Sequence, residues 1–323
     1  MILKLSILYD QYFLQLQDAA IAAIEDDNPG LVVAFSGQNG SVSVADMIDS
    51  EIVYGKPPPE MLKDLVNLKW LHLPSAGADP YTDASLYAGN SVILTKSSGT
   101  FGIPIAEHVL GMMIALSRNF ILHHENQLVG EWHQDWHDSF EIFGSNVLVL
   151  GLGNIGTEVC KRLSGFGCNV TGFRNDPSVP HGLVSDVLPI SRLAESLPDA
   201  DYVIVCLPGT EGTKGLIGRE EFAVMKKRAI VINIGRGFVI DTDALVAALN
   251  GSQIAGAGLD VTDPEPLPPG HPLWSARNVL ITPHVSAFTP GITVRRHEIF
   301  LDLLKRYLSG KPLFNKVDIA LGY

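Results

Sequence analysis

Three side chains in the second half of the chain carry groups that could move a proton and bind an anion. Arg236 lies in the segment INIGRGF, Glu265 in TDPEPLP and His284 in ITPHVSA. Histidine gains and loses a proton near neutral pH, and a guanidinium can bind a carboxylate through two parallel hydrogen bonds. Each residue alone has an ordinary explanation, as a capping or surface arginine, a loop glutamate and a buried histidine. Their context along the chain is what favours a catalytic set.

That context is a series of short apolar segments that predict strands. Arg236 comes just after AIVINIG, Asp260 lies at the end of IAGAGLDV, and His284 follows NVLITP. In open α/β sheets, ligands bind outside the carboxyl ends of the parallel strands. We therefore expect these residues to converge with a glycine-rich turn that lies earlier in the chain.

The glycine-rich turn is VLVLGLGNIGTEV, which contains Gly151, Gly153 and Gly156 directly after an apolar strand and at the start of a helical pattern. The first glycine permits the tight turn, the second lets the backbone approach a pyrophosphate, and the third lets helix and strand pack closely. Free N–H groups and the partial positive charge at the helix start attract phosphate. The segment predicts a dinucleotide site that includes Asn154 and Ile155, although glycines also serve turns alone.

The next predicted strand, CNVTGF, ends where a carboxylate would accept hydrogen bonds from the ribose hydroxyls of NAD. Arg174 stands there instead, followed by Asn175. A guanidinium cannot accept from a hydroxyl, but it binds a 2′-phosphate and stacks on adenine. We therefore expect NADP(H) to be preferred, with NAD(H) possible. In the alternative, Arg174 is a surface residue and Asp176 reaches back to the ribose.

Apolar runs alternate with helical patterns along most of the 323 residues, which is typical of βαβ units. The sequence predicts an α/β fold of two Rossmann-like domains with parallel sheets. Helices are expected near 11–26, after Pro59, after Pro104 and from about Gly291 to Ser309. The expected strands are LKLSILY, LVVAF, SEIVYG, LKWLHLP and SVILTKS, then SNVLVLG, CNVTGF, DYVIVCL, AIVINIG, IAGAGLDV and NVLITP.

The domain assignment is discontinuous, because the last helical pattern follows a complete second series of strands and could return to the first domain. Residues 1–102 and 290–323 are expected to form a substrate domain. Residues 103–289 are expected to form the dinucleotide-binding domain.

Composition argues against several classes of partner. A net charge of −12 gives no basic surface for nucleic acid or an anionic membrane. The apolar start MILKLSILYD lacks a charged leader and a cleavage site, so we expect a first strand rather than a signal peptide. No apolar run reaches membrane-spanning length. A cytoplasmic location is expected, with Cys160, Cys168 and Cys206 reduced.

Other polar residues have weaker claims to a site. His133 and His137 are four residues apart, with His123 and His124 upstream, but no third ligand accompanies them, so no metal site is expected. Glu107 and His108 begin a helical pattern. There they could serve as surface charge and capping groups, or as helpers of the catalytic set.

In combination, these segments resemble the D-isomer-specific 2-hydroxyacid dehydrogenase family, and within it the glyoxylate/hydroxypyruvate reductases. The resemblance covers essentially the whole chain. It rests on PSAGADPY, IAEHVLGMM, GLGNIG, LPGTEGTKGLI, NIGRG, LDVTDPEPL and TPHVSAFT, which occur in the family's order.

The resemblance implies reduction of a small 2-oxo acid to its D-2-hydroxy acid. His284 would give the proton to the carbonyl oxygen, and Glu265 would fix the tautomer of the ring. Arg236 would bind the substrate carboxylate and carbonyl. Asp260 would meet the nicotinamide end of the cofactor. A homodimer with contacts in the region of the long helix is also implied.

Further residues enter the predicted site through the same resemblance. Trp132 and Phe288 are weaker candidates for the wall of the substrate pocket. Cofactor contacts are expected from Leu207, Pro208, Thr213 and Ile234, and substrate contacts from Tyr54 and from the backbone N–H groups of Ala76, Gly77 and Ala78.

Where the chain departs from its family, the expectations change. Arg174 replaces the usual acid, which is why NADP(H) is expected. No regulatory domain is expected after the last helix. Formate dehydrogenases of the superfamily lack the acid partner of the histidine, so Glu265 argues against that activity. Two alternatives stay open, a nucleotide-sensing binding protein similar to corepressors of this fold and a phosphite-type dehydrogenase.

Overall fold

The computed structural model describes residues 3–8, 24, 26, 28–36, 42–89, 92–134 and 139–319. The chain divides into two compact units, Met1–Thr100 with Thr289–Tyr323, and Phe101–Phe288. The expected domain limits, at 102/103 and 289/290, lie within two residues of these divisions. Most of the helix expected near 11–26 lies outside the described residues.

The first unit contains a five-stranded parallel sheet. Its strand order is β2-β1-β3-β4-β5. The helix expected after Pro59 is the 3-10 helix Pro59–Asp64. The elements are β1 (Leu3–Leu8), β2 (Leu31–Ser36), α1 (Val44–Met47), β3 (Ile52–Tyr54), β4 (Trp70–Leu73) and β5 (Ile93–Lys96).

The second unit contains a seven-stranded sheet, which is also parallel throughout. Its order is β12-β11-β10-β9-β6-β7-β8. The elements are α2 (Gly102–Ser117), α3 (Phe120–Val129), β6 (Asn146–Leu150), α4 (Asn154–Ser164), β7 (Asn169–Phe173), β8 (Asp186–Leu188), α5 (Leu193–Ser196), β9 (Tyr202–Val205), α6 (Arg219–Val224), β10 (Ile230–Asn233), α7 (Thr242–Asn250), β11 (Gly256–Leu259) and β12 (Val279–Ile281).

The expected fold class, two α/β units with parallel sheets, is confirmed. The strand β8 and the helix α3 are among the elements that were not expected from the sequence. The edge strand β8 is only three residues long, and no residue of α3 is buried, so neither shows a strong apolar pattern.

The last helix, α8 (Pro290–Leu308), belongs to the first unit, as expected from the late helical pattern. It buries Phe300, Leu303 and Leu304 at helical spacing in the core that β1, β3 and β4 also line. The ring of Phe300 stacks on Tyr54 with centroids 4.1 Å apart. Burial of this apolar face secures the C-terminal segment to the first sheet.

In the second unit, α2 buries Val109, Met113 and Leu116 at the same kind of spacing. No single helix in the described ranges is long and apolar enough to cross a membrane. Helices α2 and α3 taken together are long and apolar enough, but the chain bends by 64° between them.

A nearly buried carboxylate ties three strands of the second sheet together at their amino ends. Asp201, directly before β9, is 3% exposed. Its carboxylate accepts from the backbone N–H of Asn146 at 3.0 Å, from Lys226 Nζ at 2.9 Å and from Arg228 Nε at 2.8 Å. Burial raises the pKa of Asp201, but the hydrogen bonds to these three donors outweigh burial, and the pKa is lowered overall.

Replacing Asp201 with asparagine should lower the free energy of unfolding at pH 7 by about 1.5–3 kcal/mol, because charge-assisted hydrogen bonds are lost. The folded-state pKa lies below the unfolded one, so the carboxylate stabilises the fold above about pH 4. That contribution disappears as the pH falls through the folded pKa. Urea unfolding at pH 7 and pH 3 measures both effects.

The control is Glu195→Gln, since Glu195 is 64% exposed in its ion pair with Arg192 and should contribute little. A D201N protein that is as stable as the wild type at pH 7 would contradict this account of Asp201.

Candidate active site

The glycine turn between β6 and α4 is shaped for close backbone contact. Gly151 has φ +101°, and a Cβ there would lie 2.8 Å from the carbonyl oxygen of Cys206. A Cβ at Gly156 would collide with the carbonyl oxygen of Gly151, so α4 approaches the turn as only glycine permits. A Cβ at Gly153 would meet nothing within 4 Å, which leaves room for a ligand beside the first N–H groups of α4. Asn154 and Ile155 form the first turn of that helix. The turn therefore fits a pyrophosphate.

Arg174 is the first residue after β7 and is half-buried. Its backbone N–H donates to Leu188 O at 3.1 Å, which extends the pairing of β7 with β8. Asn175 and Asp176 follow on the exposed side of the turn. Asp176 Oδ1 accepts from both the backbone N–H and the hydroxyl of Ser178, at 3.0 and 2.5 Å. These hydrogen bonds lower the pKa of Asp176 and direct its carboxylate towards Ser178.

The turns after β9 and β10 lie against each other. A Cβ on Gly235 would come within 2.6 Å of the carbonyl oxygen of Leu207, so the two backbones are nearly in contact. Thr213 donates to Pro208 O at 2.9 Å and thereby closes the loop after β9. Ile234 is 6% exposed. These four predicted cofactor residues, Leu207, Pro208, Thr213 and Ile234, thus lie on adjoining loops, and their contact with a cofactor stays a prediction.

Arg236 lies three residues beyond the end of β10, and a buried asparagine fixes its turn. Asn233, 1% exposed, accepts from Gly235 N at 3.0 Å and donates to Arg236 O at 2.9 Å. Arg236 Nη1 donates to the carbonyl of Gly235 at 2.8 Å. A Cβ at Gly237 would collide with the carbonyl of Thr262, so this turn is in contact with the loop that leads to Glu265.

Glu265 and His284, two members of the predicted catalytic set, are in hydrogen-bond contact. His284 Nδ1 and Glu265 Oε1 are 2.6 Å apart, and the side chains are 54% and 42% exposed. His284 follows β12 with φ +55°, a left-handed conformation that is unfavourable for a residue with a Cβ. Its N–H donates to Asp260 O and Thr282 O, which hold the strained residue in place. The arrangement presents an imidazole that is oriented by a carboxylate and open to a ligand.

Asp260 is only 2% exposed and its carboxylate accepts from the backbone N–H groups of Val285 and Ser286. The carboxylate also accepts from Thr282 Oγ1, so its contacts lie on both sides of His284 along the chain. The expected contact of Asp260 with the nicotinamide stays a prediction.

The predicted substrate loop belongs to the first unit, where it follows β4. Ser75 donates to Gly77 O at 2.7 Å, and Ser97 N donates to Ser75 O at 3.0 Å, so the loop is fixed from two sides. Ala76 and Gly77 are half-buried and Ala78 is buried. Tyr54 is 5% exposed in the stack with Phe300, which gives it a packing role in the core. Substrate binding by these four residues stays a prediction.

Sequence reasoning missed two residues that shape the site. The Asn233 side chain accepts from the backbone N–H of Gly235, two residues later. An asparagine at a strand end, two residues before a glycine, is the sequence signal that could have indicated this turn. His181 Nε2 lies 3.1 Å from Thr157 Oγ1 and so connects the loop after Arg174 to α4. No local pattern could have found that contact, because 24 residues separate the two.

Among the weaker candidates, His123, Trp132 and His133 line one surface cleft on the second unit. Trp132 is 93% exposed and Phe288 48%. His137 lies outside the described residues, and His133, His123 and His124 are exposed. Within the part of the chain that the structure describes, no three histidine, cysteine or acidic side chains could hold a metal ion. The three cysteines are unbonded, and burial raises the pKa of Cys160 to about 12.

Comparison with known proteins identifies the family. Residues 110–286 match the sequence model for the NAD binding domain of D-isomer specific 2-hydroxyacid dehydrogenases. Glyoxylate reductase of Thermofilum pendens is 32% identical over 272 residues, which cover 83% of this chain and 77% of that protein. Mitochondrial formate dehydrogenase of Solanum tuberosum is 31% identical over 257 residues, which cover 78% and 67%.

A solved structure agrees with these relatives. D-isomer specific 2-hydroxyacid dehydrogenase from Xanthobacter autotrophicus Py2, in complex with NADPH and MES, is 29% identical with a TM-score of 0.81, and the match covers 98% of this chain and 99% of that one. The matched region in the family model includes the glycine turn, Arg236, Glu265 and His284. The chain belongs to the D-isomer specific 2-hydroxyacid dehydrogenase family, a family of NAD(P)-dependent oxidoreductases.

Proposed function

We propose that the protein reduces a small 2-oxo acid to the D-2-hydroxy acid, with NADP(H) preferred over NAD(H). The observation that carries the proposal is the 2.6 Å contact between His284 Nδ1 and Glu265 Oε1. A carboxylate can only accept a hydrogen bond, so Nδ1 keeps its proton and Nε2 is the atom that exchanges one. When bound, the reduced nicotinamide supplies the hydride for the carbonyl carbon.

The proton on His284 Nε2 passes to the carbonyl oxygen of the substrate, which becomes the hydroxyl of the product. The ring is left neutral and regains its proton from solvent, which its 54% exposure supports. Glu265 holds the ring in one orientation throughout, through its hydrogen bond to Nδ1.

Arg236 binds the carboxylate of the substrate. Its main chain is fixed by Asn233 and its Nη1 by the carbonyl of Gly235, so little side-chain entropy is lost when the anion binds. The planar guanidinium matches a carboxylate in a way that a plain ketone could not use. This selects 2-oxo acids over simple ketones.

Two observations support NADP(H). Arg174 directly follows β7, where the adenosine ribose lies in dinucleotide folds. Asp176, the acid that could serve NAD instead, is already engaged by the N–H and hydroxyl of Ser178. The solved relative from Xanthobacter was obtained with NADPH, which agrees with this choice.

A homodimer in the cytoplasm completes the proposal. Helix α3 and the residues after it expose an apolar group on the second unit, formed by Phe120, Leu122, Leu128, Val129 and Trp132. A cleft of about 470 Å³ lies among residues 123–134 on the same region. Burial of such a group against a second copy of the chain would remove it from water.

The activity is tested with purified protein and a panel of glyoxylate, hydroxypyruvate, pyruvate and a bulkier 2-oxo acid, each with NADPH and NADH. At least one acid should be reduced, and His284→Ala should lower kcat by about two to four decades, because the proton donor is lost. His124→Ala, which changes an exposed histidine on α3, is the control. Inertness towards the whole panel, or formate oxidation alone, would refute the proposal.

The cofactor preference is tested with Arg174→Asp. We expect the ratio of kcat/KM for NADPH to that for NADH to fall about 10- to 100-fold, since the 2′-phosphate loses a charge-assisted partner and faces an acid. Asp176→Asn is the matched control in the same turn and should leave the ratio nearly unchanged. An unaltered ratio in R174D would mean that another group recognises the phosphate.

The dimer is tested by light scattering during gel filtration. The wild type should have twice the mass of one chain, and Leu128→Glu should shift it towards the monomer, because a charge would be buried at the contact. Val66→Glu is a matched control, since Leu128 and Val66 are each 72% exposed and Val66 lies in the other unit. A monomeric wild type at micromolar concentration would contradict the proposal.

A further inference from the structure

A chain of hydrogen bonds leads from α2 to the segment that carries His284. Strands β11 and β12 are paired in parallel with Leu259 opposite Ile281, so the next residues, Asp260 and Thr282, are neighbours beyond the strand ends. Thr282 Oγ1 donates to Asp260 Oδ1 at 2.6 Å. This contact is part of the second unit and does not involve the His284–Glu265 pair directly.

The carboxylate of Asp260 holds the backbone that follows His284. Its Oδ1 accepts from Val285 N at 2.9 Å, and both of its oxygens accept from Ser286 N, at 3.2 and 3.1 Å. His284 itself has φ +55°, which its Cβ disfavours, so the segment needs contacts that fix it. The orientation of the imidazole thus depends on where the Asp260 carboxylate lies.

His108 completes this chain from the side of the helix. Its Nε2 is 3.0 Å from Thr282 Oγ1, across 174 residues of sequence. The hydroxyl proton of Thr282 is directed at Asp260, so the hydroxyl must accept from His108, and Nε2 must carry a proton. His108 is half-buried, which shields this hydrogen bond from competition with water.

A glycine lets α2 come close enough for the contact. A Cβ on Gly258 in β11 would lie 2.8 Å from the sulfur of Met112, so the helix packs almost directly on the strand backbone. Met112 is one turn after His108 on the same face of α2. The close approach at Gly258 therefore brings His108 within reach of the residue after β12.

We propose that His108 is a positioning residue for the proton donor, which acts through the Thr282 hydroxyl and the Asp260 carboxylate on the backbone of residues 284–286. The inference rests on the proposed function, because it takes His284 as the acid. Without the Nε2 donor, the Thr282 hydroxyl can rotate away from Asp260. The carboxylate and the segment that it holds then lose their fixed position, and His284 is aligned less often.

The test compares His108→Leu with His108→Gln, whose amide can donate from nearly the same place as Nε2. H108L should lower kcat about 3- to 30-fold with little change in the KM for the cofactor, and H108Q should restore most of the loss. The control is Glu107→Gln on the same helix, since Glu107 is 63% exposed and forms a surface ion pair with Arg162.

A double-mutant cycle with Thr282→Val tests the route. If His108 acts through the Thr282 hydroxyl, H108L should add almost nothing to the loss already caused by T282V. Full additivity of the two losses would overturn the inference, as would an H108L protein with wild-type kcat.

Amide hydrogen exchange in the protein without substrate gives a readout that does not depend on activity. Val285 and Ser286 should exchange about 3- to 30-fold faster in H108L than in the wild type and in H108Q. Unchanged exchange in H108L would refute the positioning role even if the enzyme reduces 2-oxo acids. Faster exchange in a protein that is inert towards every 2-oxo acid would retain the contact and refute the proposed function.

Discussion

Parallel strand pairing is the constraint on which the second unit depends. Strands β6 and β9–β12 are hydrogen-bonded neighbours that all run in one direction, so their carboxyl ends open onto one edge of the sheet. Residues that are far apart in the sequence are therefore brought together at this edge. The residues in question lie one to three positions past their strands, and they are Gly151, Leu207, Arg236, Asp260 and His284.

The second unit also depends on glycine, because several segments at this edge of the sheet touch through their backbones and leave no room for a Cβ. The turn at Gly156 meets the carbonyl of Gly151, and Gly237 meets that of Thr262. Within β11, the missing Cβ of Gly258 likewise lets α2 pack closely on the strand. A side chain at any of these places would separate the elements by about the thickness of a methyl group. The geometry of the site is thus set by main-chain contact as much as by its polar side chains.

Two buried carboxylates in the second unit have different kinds of hydrogen-bond partner. Asp201 is satisfied by two cationic side chains and one backbone N–H, and it joins strands at their amino ends. Asp260 is satisfied by backbone N–H groups and a hydroxyl, and it holds the loop that carries His284. The first arrangement serves stability. The second gives a strained residue a fixed place, which an acid–base group requires.

The sequence by itself determined the fold class, most of the strands, the glycine turn and the family, because apolar periodicity and spaced motifs are local properties of the chain. It also named Arg236, Glu265 and His284 as a set. It did not reveal β8, the exposed helix α3, or the part that Asn233 plays in the Arg236 turn. Only the tertiary structure decided that His108 meets Thr282 and that Asp260 holds the segment after His284. Those contacts join residues far apart in the chain, and the packing of helix on sheet, rather than any local pattern, brings them together.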